Sequence, residues 1–217
     1  MVKQTTRDFY FTVLRPLLWL NHWRWRLQGV GRNGQPLHLH LGCGMKYLPG
    51  FVNIDGNLFR KPDLVLDLRD GLPLPSNSVH SIYSSHVFEH FYPDDLQAIL
   101  RECHRVLCPG GGMRIVVPDM QAAVVAYLTG QTGFFTDFPR PHRSLGGKLS
   151  NLLFCEGGHR QGLDFSYLQE LLTDAGFREV QRMRPTQTRL YPPSRFAQLQ
   201  REEAGVASIS LFVEAWK

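Results

Sequence analysis

Two glycines and an aspartate give the first indication of a binding site in this sequence. Residues 37–41 alternate leucine with histidine, which is the period-two pattern of a β-strand. Residues 42–44, Gly-Cys-Gly, follow at once, and glycines at the end of a strand let the backbone approach a ligand closely. A short apolar run, residues 51–54, then ends on Asp55, where a Rossmann-type unit places a carboxylate for ribose hydroxyls. A Gly-x-Gly turn alone is also common as an ordinary tight turn, so the rest of the chain must decide.

The composition is that of a globular protein with room for one substantial α/β domain. The chain has 217 residues, of which 43% are hydrophobic and 20% charged. No stretch approaches the ~20 apolar residues of a membrane span. The cysteines lack CxxC spacing and no secretory pattern is recognised, which favours a reducing, cytoplasmic location.

The charge does not indicate nucleic-acid binding. The net charge of +5 comes from 24 basic and 19 acidic residues. The sequence has no Lys/Arg-rich block, no zinc-ligand spacing and no aromatic pattern typical of RNA binding. We therefore expect a solvated basic surface with a bias toward anionic ligands and no specific nucleic acid.

The first 36 residues differ from the rest of the chain. Residues 7–27 are dense in aromatics, leucines and arginines, and Pro16 is expected to divide them into two short helices. Three interpretations stay open: a helical lid packed on the domain, a basic aromatic helix on a membrane or lipid substrate, and a partner interface. Residues 29–36 form a connector rich in glycine.

From residue 37 onward, strand-like and helix-like segments alternate. This alternation predicts an α/β fold with a mainly parallel sheet and helices on both faces, and ligands bound at the carboxyl ends of the strands. Residues 131–163 lose periodicity but keep enough apolar residues to pack, so we expect a substrate-covering insertion there. The predicted elements are strands at 37–41, 51–55, 63–68 and 79–84, a helix from 93 ending before 108, a strand at 113–117, helices at 119–128 and 166–175, and strands at 177–183 and 208–216.

Several motifs in this order resemble the class I S-adenosylmethionine-dependent methyltransferases, especially the small bacterial type 11-like domains often associated with surface-saccharide genes. The resemblance is good over residues 37–120 and moderate over 160–183, and it does not include the first 36 residues. It implies a Rossmann-like methyltransferase domain over 37–217. The matching stretches are LHLGCG (39–44), VNID (52–55), LVLDLRDGLPLPSNSVHSIYSSHVFEHF (64–91), LRECHRVLCPGGGMRIVVPD (100–119) and DFSYLQELLTDAGF (164–177).

The resemblance also implies S-adenosylmethionine as the cofactor and assigns residues to it. The turn would meet the cofactor's amino-acid end, Asp55 the ribose and Asp67 with the Leu68 backbone the adenine, while the end of the fourth strand would line the cavity near the methyl donor. For Glu89 and His90, a structural pair at the start of a helix is an equal alternative. The implied cofactor-binding residues are Leu41, Gly42, Cys43, Gly44, Asp55, Asp67, Leu68, Ser84, Ser85 and Glu89.

One departure from the family pattern stands out. Only ten residues separate Gly44 from Asp55, whereas the corresponding spacing in a Rossmann fingerprint is commonly ~20 residues. The first helix of the fold, αA in the usual naming, must therefore be shortened or absent. The amino-terminal segment or the insertion would then complete the site.

Methyl transfer to a hydroxyl requires a group that removes a proton, and it requires no metal or nucleophilic triad. Candidate bases are His86, His90, His142 and His159, because the imidazole pKa lies near working pH. His159 is the first choice because adjacent glycines bring its loop close, and His86 and His90 are the other catalytic candidates.

The leading hypothesis is thus a methyltransferase acting on a small-molecule, saccharide or lipid-linked acceptor, with peripheral membrane contact through residues 7–27. The shortened segment keeps another hypothesis open, a non-catalytic cofactor-binding or scaffold protein that docks a partner or membrane through its amino terminus. A Rossmann-type dehydrogenase or an inactive relative of the fold is a further alternative.

Overall fold

The computed structural model describes residues 37–217 together with eight helical residues of the preceding segment. Those eight are Tyr10, Val13, Leu14, Pro16, Leu18, Leu20, Trp23 and Trp25. The strands are β1 (Leu37–Leu41), β2 (Val52–Asp55), β3 (Leu64–Val65), β4 (Val79–Ser85), β5 (Leu107–Pro118), β6 (Arg178–Met183) and β7 (Ser210–Trp216). The α-helices from residue 37 onward are α1 (Pro93–Val106), α2 (Met120–Leu128), α3 (Leu145–Phe154), α4 (Phe165–Asp174) and α5 (Pro193–Glu203).

The strands form one seven-stranded sheet in the order β3-β2-β1-β4-β5-β7-β6. Strands β1 to β5 are parallel, and β7 is antiparallel to both β5 and β6. Neighbouring residues of one strand point to opposite faces, and this alternation divides the core. Ile82 packs in one cluster with residues of α1 and α4, whereas Tyr83 packs in another with Phe196 and Leu199 of α5. The predicted mainly parallel sheet with helices on both faces is confirmed.

No helix connects β1 to β2, which confirms that αA is absent. Turns fill residues 42–51 instead, and the buried side chain of Asn53 holds them. Its Oδ1 accepts a hydrogen bond from the Leu48 amide at 2.9 Å, and its Nδ2 donates to the carbonyl oxygens of Leu48 and Phe51, both at 3.1 Å. One side chain thus satisfies backbone groups that a helix would pair internally.

Two helices lie in segments for which the sequence predicts none. Helix α3 lies within 131–163 and α5 within 184–207. The predicted third strand, 63–68, is also too long, because only Leu64–Val65 pair and a 3-10 turn follows at Leu68–Asp70. Helix α4 begins one residue earlier than predicted, and its cap is Asp164, whose carboxylate accepts from the Tyr167 amide at 2.9 Å.

The three interpretations of residues 7–27 concern a segment that lies largely outside the residues described by the structure. Of those that are described, Leu18 is buried and Trp25 packs against the larger core cluster, while Val13 and Leu20 are exposed. None of the described helices is long and apolar enough to cross a bilayer.

Candidate active site

A cavity of about 580 Å³ lies at the carboxyl ends of β1, β2 and β4. Parallel strands bring these ends to one edge of the sheet, where an α/β fold binds its ligands. The volume is within the range of small-molecule sites, ≈ 300–1,000 Å³. The lining residues are Tyr10, Gly42, Gly44, Ile54, Asp55, Gly56, Asn57, Phe59, Arg60, Leu66, Asp67, Leu68, His86, Val87, His90 and Phe91.

The glycine turn after β1 forms one wall of this cavity. Gly42 and Gly44 have φ values of +66° and +54°, which side chains rarely adopt. A Cβ added to Gly42 would lie 2.2 Å from Cγ2 of Val87, whereas a Cβ added to Gly44 would have no atom within 4 Å. Gly42 therefore permits close packing of the loop after β4, and Gly44 borders open space.

Asp55 ends β2 and holds the turn in place. Its Oδ2 accepts a hydrogen bond from the Gly44 amide and its Oδ1 one from the Asn57 amide, both at 2.8 Å. Each carboxylate oxygen can accept a second hydrogen bond. Asp55 thus positions the turn and can still receive hydroxyl donors from the cavity.

Asp67 is engaged more fully than Asp55. Its Oδ1 accepts from the Arg69 amide at 3.1 Å, and its Oδ2 accepts from Arg69 Nη2 at 2.6 Å. The cavity wall beside it is apolar, formed by Leu66 and Leu68. A ligand donor approaching Asp67 would have to share the carboxylate with Arg69.

A group of three histidines around one glutamate forms the polar end of the cavity, and we call it the histidine cluster: His86, Glu89, His90 and His159. Nδ1 of His86 lies 3.3 Å and Nε2 of His159 lies 3.9 Å from Oε1 of Glu89. The rings of His90 and His159 meet edge to face at 5.0 Å. His86 and His90 line the cavity, whereas Glu89 and His159 lie behind them.

Backbone carbonyls fix the orientation of two of these rings. Nδ1 of His90 donates to the Gly158 carbonyl at 2.8 Å, and Nδ1 of His159 donates to the Leu152 carbonyl at 3.0 Å. A carbonyl oxygen can only accept, so the proton of each neutral imidazole is on Nδ1 and the lone pair is on Nε2.

Ser210 fixes the third ring in the opposite tautomer. The Ser210 hydroxyl donates its proton to the Val206 carbonyl at 2.7 Å, so it accepts from Nε2 of His86 at 2.9 Å. Neutral His86 therefore carries its lone pair on Nδ1, the atom nearest Glu89.

The surroundings of Glu89 and His159 lower the pKa values of both groups. Burial of Glu89 opposes ionisation, but the contact with His86 and the charges of the three imidazoles outweigh it and lower the pKa of this carboxyl. Burial, the largest influence, lowers the pKa of His159 below that of a free imidazole.

Seven of the sequence-predicted site residues line the cavity. They are Gly42, Gly44, Asp55, Asp67, Leu68, His86 and His90. Five others belong to the same elements without lining it, namely Leu41, Cys43, Ser84, Ser85 and Glu89. Of these, Leu41 faces the core, and burial raises the pKa of the Cys43 thiol to about 12, so the thiol stays protonated.

The first-choice base, His159, does not line the cavity, because its ring lies behind His90 at the end of the insertion. His142 does not line the cavity and lies against Gly147 in the first turn of α3. The position of His159 beside Glu89 could not be deduced from spacing, since the two are 70 residues apart.

Sequence reasoning missed one side of the cavity. Gly56, Asn57, Phe59 and Arg60 after β2 line it, as do Val87 and Phe91 after β4. The turn after Asp55 has one visible signal, since Asn57 caps the 3-10 turn Leu58–Arg60 by accepting from the Phe59 amide. Tyr10 also lines the cavity, and its hydroxyl accepts from the Leu58 amide at 2.9 Å.

Comparison with known proteins agrees with this geometry. Residues 29–115 match the model of a methyltransferase domain family, over the stretch that contains the glycine turn, Asp55, Asp67 and the loop after β4. The match covers 87 of the 217 residues, and it supports the predicted resemblance to the class I S-adenosylmethionine-dependent methyltransferases. A search of curated proteins found no match. The enzyme interpretation is confirmed.

Solved structures of other methyltransferases share the fold at low sequence identity. An S-adenosylmethionine-dependent methyltransferase of Archaeoglobus fulgidus is 15% identical with a TM-score of 0.51, over 97% of this chain and 100% of that one. One from Thermotoga maritima is 15% identical with a TM-score of 0.51, over 95% and 96%. Phosphoethanolamine N-methyltransferase 2 of Haemonchus contortus, solved with S-adenosyl-L-methionine, is 13% identical with a TM-score of 0.50, over 90% of this chain and 52% of that one. Identities this low establish the shared fold alone.

The cavity of this methyltransferase fits the cofactor that the family uses. Gly44 leaves open space at the turn, Asp55 can accept from ribose hydroxyls, and the side chains of Ile54, Leu66 and Leu68 offer an apolar wall to a flat base. These features suit S-adenosylmethionine, the cofactor that the resemblance to this methyltransferase family implies.

Proposed function

We propose that this methyltransferase acts on a hydroxyl group, and that His86 removes the hydroxyl proton. The observation that carries the proposal is the fixed tautomer of His86 at the cavity wall. Its Nε2 donates to Ser210, so the lone pair of neutral His86 is on Nδ1, 3.3 Å from Oε1 of Glu89, and a proton taken from the acceptor would be held between these two atoms. A hydroxyl is a weak nucleophile until its proton is removed, whereas a neutral amine needs no base to attack.

Glu89 supports the protonated form of His86. Once Nδ1 binds a proton, it faces the ionised Glu89 carboxylate across 3.3 Å, and the ion pair stabilises the imidazolium. When bound, S-adenosylmethionine supplies an electrophilic methyl carbon, and the carbon–sulfur bond electrons stay on sulfur as the carbon–oxygen bond forms. His90 and His159 complete the polar end, where they surround Glu89.

The acceptor class we propose is a saccharide or a lipid-linked molecule. Support comes from apolar side chains that are exposed on α2 and on the insertion 131–163, next to the element that supplies His159. These side chains suit an amphiphilic acceptor or a lipid surface, since monomeric proteins rarely leave large apolar patches unused. They are Val124, Val125, Tyr127, Leu128, Phe138 and Phe154, between 40% and 75% exposed. The insertion is the proposed cover of the acceptor.

Turnover of paired acceptors tests the reaction. We expect methyl transfer to alcohol and saccharide acceptors and none to matched amines, measured as S-adenosylhomocysteine release with the methylated atom assigned by NMR. Replacing His86 by Gln should lower kcat about 10²–10⁴-fold with the cofactor affinity retained. His80→Gln is the matched control, because His80 is exposed on β4 and outside the cavity.

Two results would contradict the proposal. Transfer to nitrogen acceptors alone would show that no hydroxyl base is needed. Wild-type kcat in His86→Gln, with the preferred hydroxyl acceptor, would remove His86 from the reaction, and parallel assays of His90→Gln and His159→Gln would then show whether another imidazole takes the proton.

A further inference from the structure

The histidine cluster presents proton acceptors to one another without a donor between them. Both carboxylate oxygens of Glu89 are buried and accept no hydrogen bond from the described residues. The neutral His90 and His159 rings have their protons on the carbonyl side, which leaves their Nε2 lone pairs without a proton. Nδ1 of neutral His86 is also a lone pair directed at Glu89.

Such a cluster is unstable unless it also contains a proton or a metal cation. A buried charged group without a hydrogen bond is strongly destabilising, and buried carboxylates in proteins are paired or coordinate metals. One proton on His86 compensates a single oxygen of Glu89. It leaves the other oxygen of Glu89 without a hydrogen bond from the described residues.

The remaining ligand atoms are close enough to bind one ion. Glu89, His90 and His159 offer ligand atoms that all lie within 4.8 Å of one another. In tetrahedral zinc sites, metal–ligand distances of ~2.0–2.2 Å place the donor atoms roughly 3.3–3.6 Å apart. The 3.9 Å between His159 Nε2 and Glu89 Oε1, the oxygen that also faces His86, would have to shorten by about half an ångström, and a pair at the 4.8 Å limit by more than about 1 Å.

The surroundings of the two histidines match those of metal ligands. A histidine that binds a metal commonly donates its other ring N–H to a carbonyl or carboxylate, which fixes the tautomer and directs the lone pair. The Gly158 and Leu152 carbonyls do this for His90 and His159. Two imidazoles and one carboxylate form a ligand set that suits a divalent transition metal and leaves a further position open.

We propose that Glu89, His90 and His159 bind one divalent transition-metal ion of the zinc class at the polar end of the cavity. His90 lines the cavity, so the open position would face the acceptor. The role of the ion rests on the proposed hydroxyl chemistry: it would polarise the acceptor hydroxyl and lower its pKa, and the proton would pass to Nδ1 of His86. The sequence-based expectation that this reaction needs no metal is replaced by this proposal.

Metal content measured on untagged protein tests the site without reference to catalysis. The protein is treated with a chelator, dialysed against Zn²⁺, and analysed by mass spectrometry of the metal, while Co²⁺ replaces Zn²⁺ for visible spectroscopy. We expect about one ion per wild-type chain and the absorption bands of low-symmetry Co²⁺ with nitrogen and oxygen ligands. Glu89→Gln and His159→Ala should bind Zn²⁺ at least ~10-fold more weakly, since even outer-shell changes cost 10–100-fold. His80→Ala should bind as wild type.

The outcomes separate the metal site from the proposed reaction. Less than about 0.1 ion per wild-type chain, or equal affinity in all variants, would overturn the site. Circular dichroism and S-adenosylhomocysteine affinity establish that each variant is folded, and His159→Gln replaces any that is not. Hydroxyl methylation without metal binding would overturn this inference alone, whereas stoichiometric metal binding with transfer only to nitrogen would overturn the hydroxyl proposal alone.

Discussion

Gly42 is glycine for two independent physical reasons. Its φ of +66° is a conformation that other residues reach only with strain, and its missing Cβ leaves room for Val87. Gly44 has the first property without the second, because its φ is +54° and no atom lies where its Cβ would be. The two glycines therefore allow strain and steric contact to be measured separately.

We expect Gly42→Ala to be clearly more destabilising than Gly44→Ala. Backbone strain alone costs of order 1–3 kcal/mol, and the overlap with Val87 adds about 1–3 kcal/mol to it. Urea unfolding measures both changes, and calorimetry with S-adenosylhomocysteine should show weaker binding by Gly42→Ala because Val87 lines the cavity. Equal loss of stability in the two variants would show that contact with Val87 contributes nothing.

Arg114 shows what sequence alone cannot provide at the scale of a residue. The pattern at 113–117 predicts a buried strand, and the structure buries Arg114 completely within it. Its guanidinium donates to Glu203 at 2.7 Å and to Glu214 at 3.0 Å, and these partners lie 89 and 100 positions later. A buried charge needs such partners, but spacing along the chain does not reveal them. The histidine cluster is the same case, since its members were recognisable singly and their assembly was not.

At the scale of elements, the sequence predicts the short connection between Gly44 and Asp55 better than any other feature of the fold. That interval is too short for a full αA plus its two connections, so the prediction that αA is shortened or absent follows from chain length. The conformation of these ten residues could not be predicted from chain length, because it depends on a single buried side-chain amide. Asn53 bonds to the backbone of Leu48 and Phe51, and its Nδ2 also lies 3.1 Å from Asp63 Oδ2.

We expect Asn53→Ala to destabilise the protein by about 2–4 kcal/mol, because it leaves several buried backbone groups without hydrogen bonds. It should also weaken S-adenosylhomocysteine binding, since the turn it holds carries Gly44. Denaturant unfolding and calorimetry measure the two effects. Gln169→Ala, on the exposed surface of α4, is the control and should change stability by less than about 0.5 kcal/mol. A change in Asn53→Ala no larger than that would show that the turns hold their structure independently.

The helical signal in the sequence of the two unpredicted helices is weak for identifiable reasons. Helix α3 has Gly146 and Gly147 in its first turn, and glycine lowers helix propensity by about 1 kcal/mol per residue. Helix α5 begins at a proline pair and buries only Phe196, Leu199 and Glu203. A short helix with one apolar turn gives too little periodicity to distinguish it from a loop, so tertiary packing decides its structure.

At the scale of the whole molecule, the catalytic domain and the amino-terminal segment meet at the cavity. Tyr10 lines it and accepts a hydrogen bond from Leu58, in the loop between β2 and β3. This contact supports the proposal that residues 1–36 complete a site that has no αA. The prediction that residues 7–27 also contact a membrane surface concerns residues that are mostly outside the described part, and it stays a prediction.

The contribution of Tyr10 can be tested by substitution. We expect Tyr10→Ala to raise the dissociation constant for S-adenosylhomocysteine about 5–10-fold, because it removes both a cavity wall and a hydrogen bond of roughly 1 kcal/mol. Tyr10→Phe retains the ring and loses only the hydroxyl, so it should fall between wild type and Tyr10→Ala. Calorimetry gives all three constants.

Val13→Ala is the matched control for Tyr10, since Val13 is in the same segment but 58% exposed and absent from the cavity wall. Val13→Ala should bind S-adenosylhomocysteine with the same affinity as wild type. Tyr10→Ala could instead bind S-adenosylhomocysteine as wild type does, with an unchanged melting temperature. The segment would then not complete the cofactor site. The cofactor or the acceptor itself would close the open side of the cavity beside residues 56–60. If both variants weakened binding equally, the position of the whole segment, and not the Tyr10 side chain, would determine the affinity for S-adenosylhomocysteine. An exposed valine can affect the cavity only through the position of the helix that carries it.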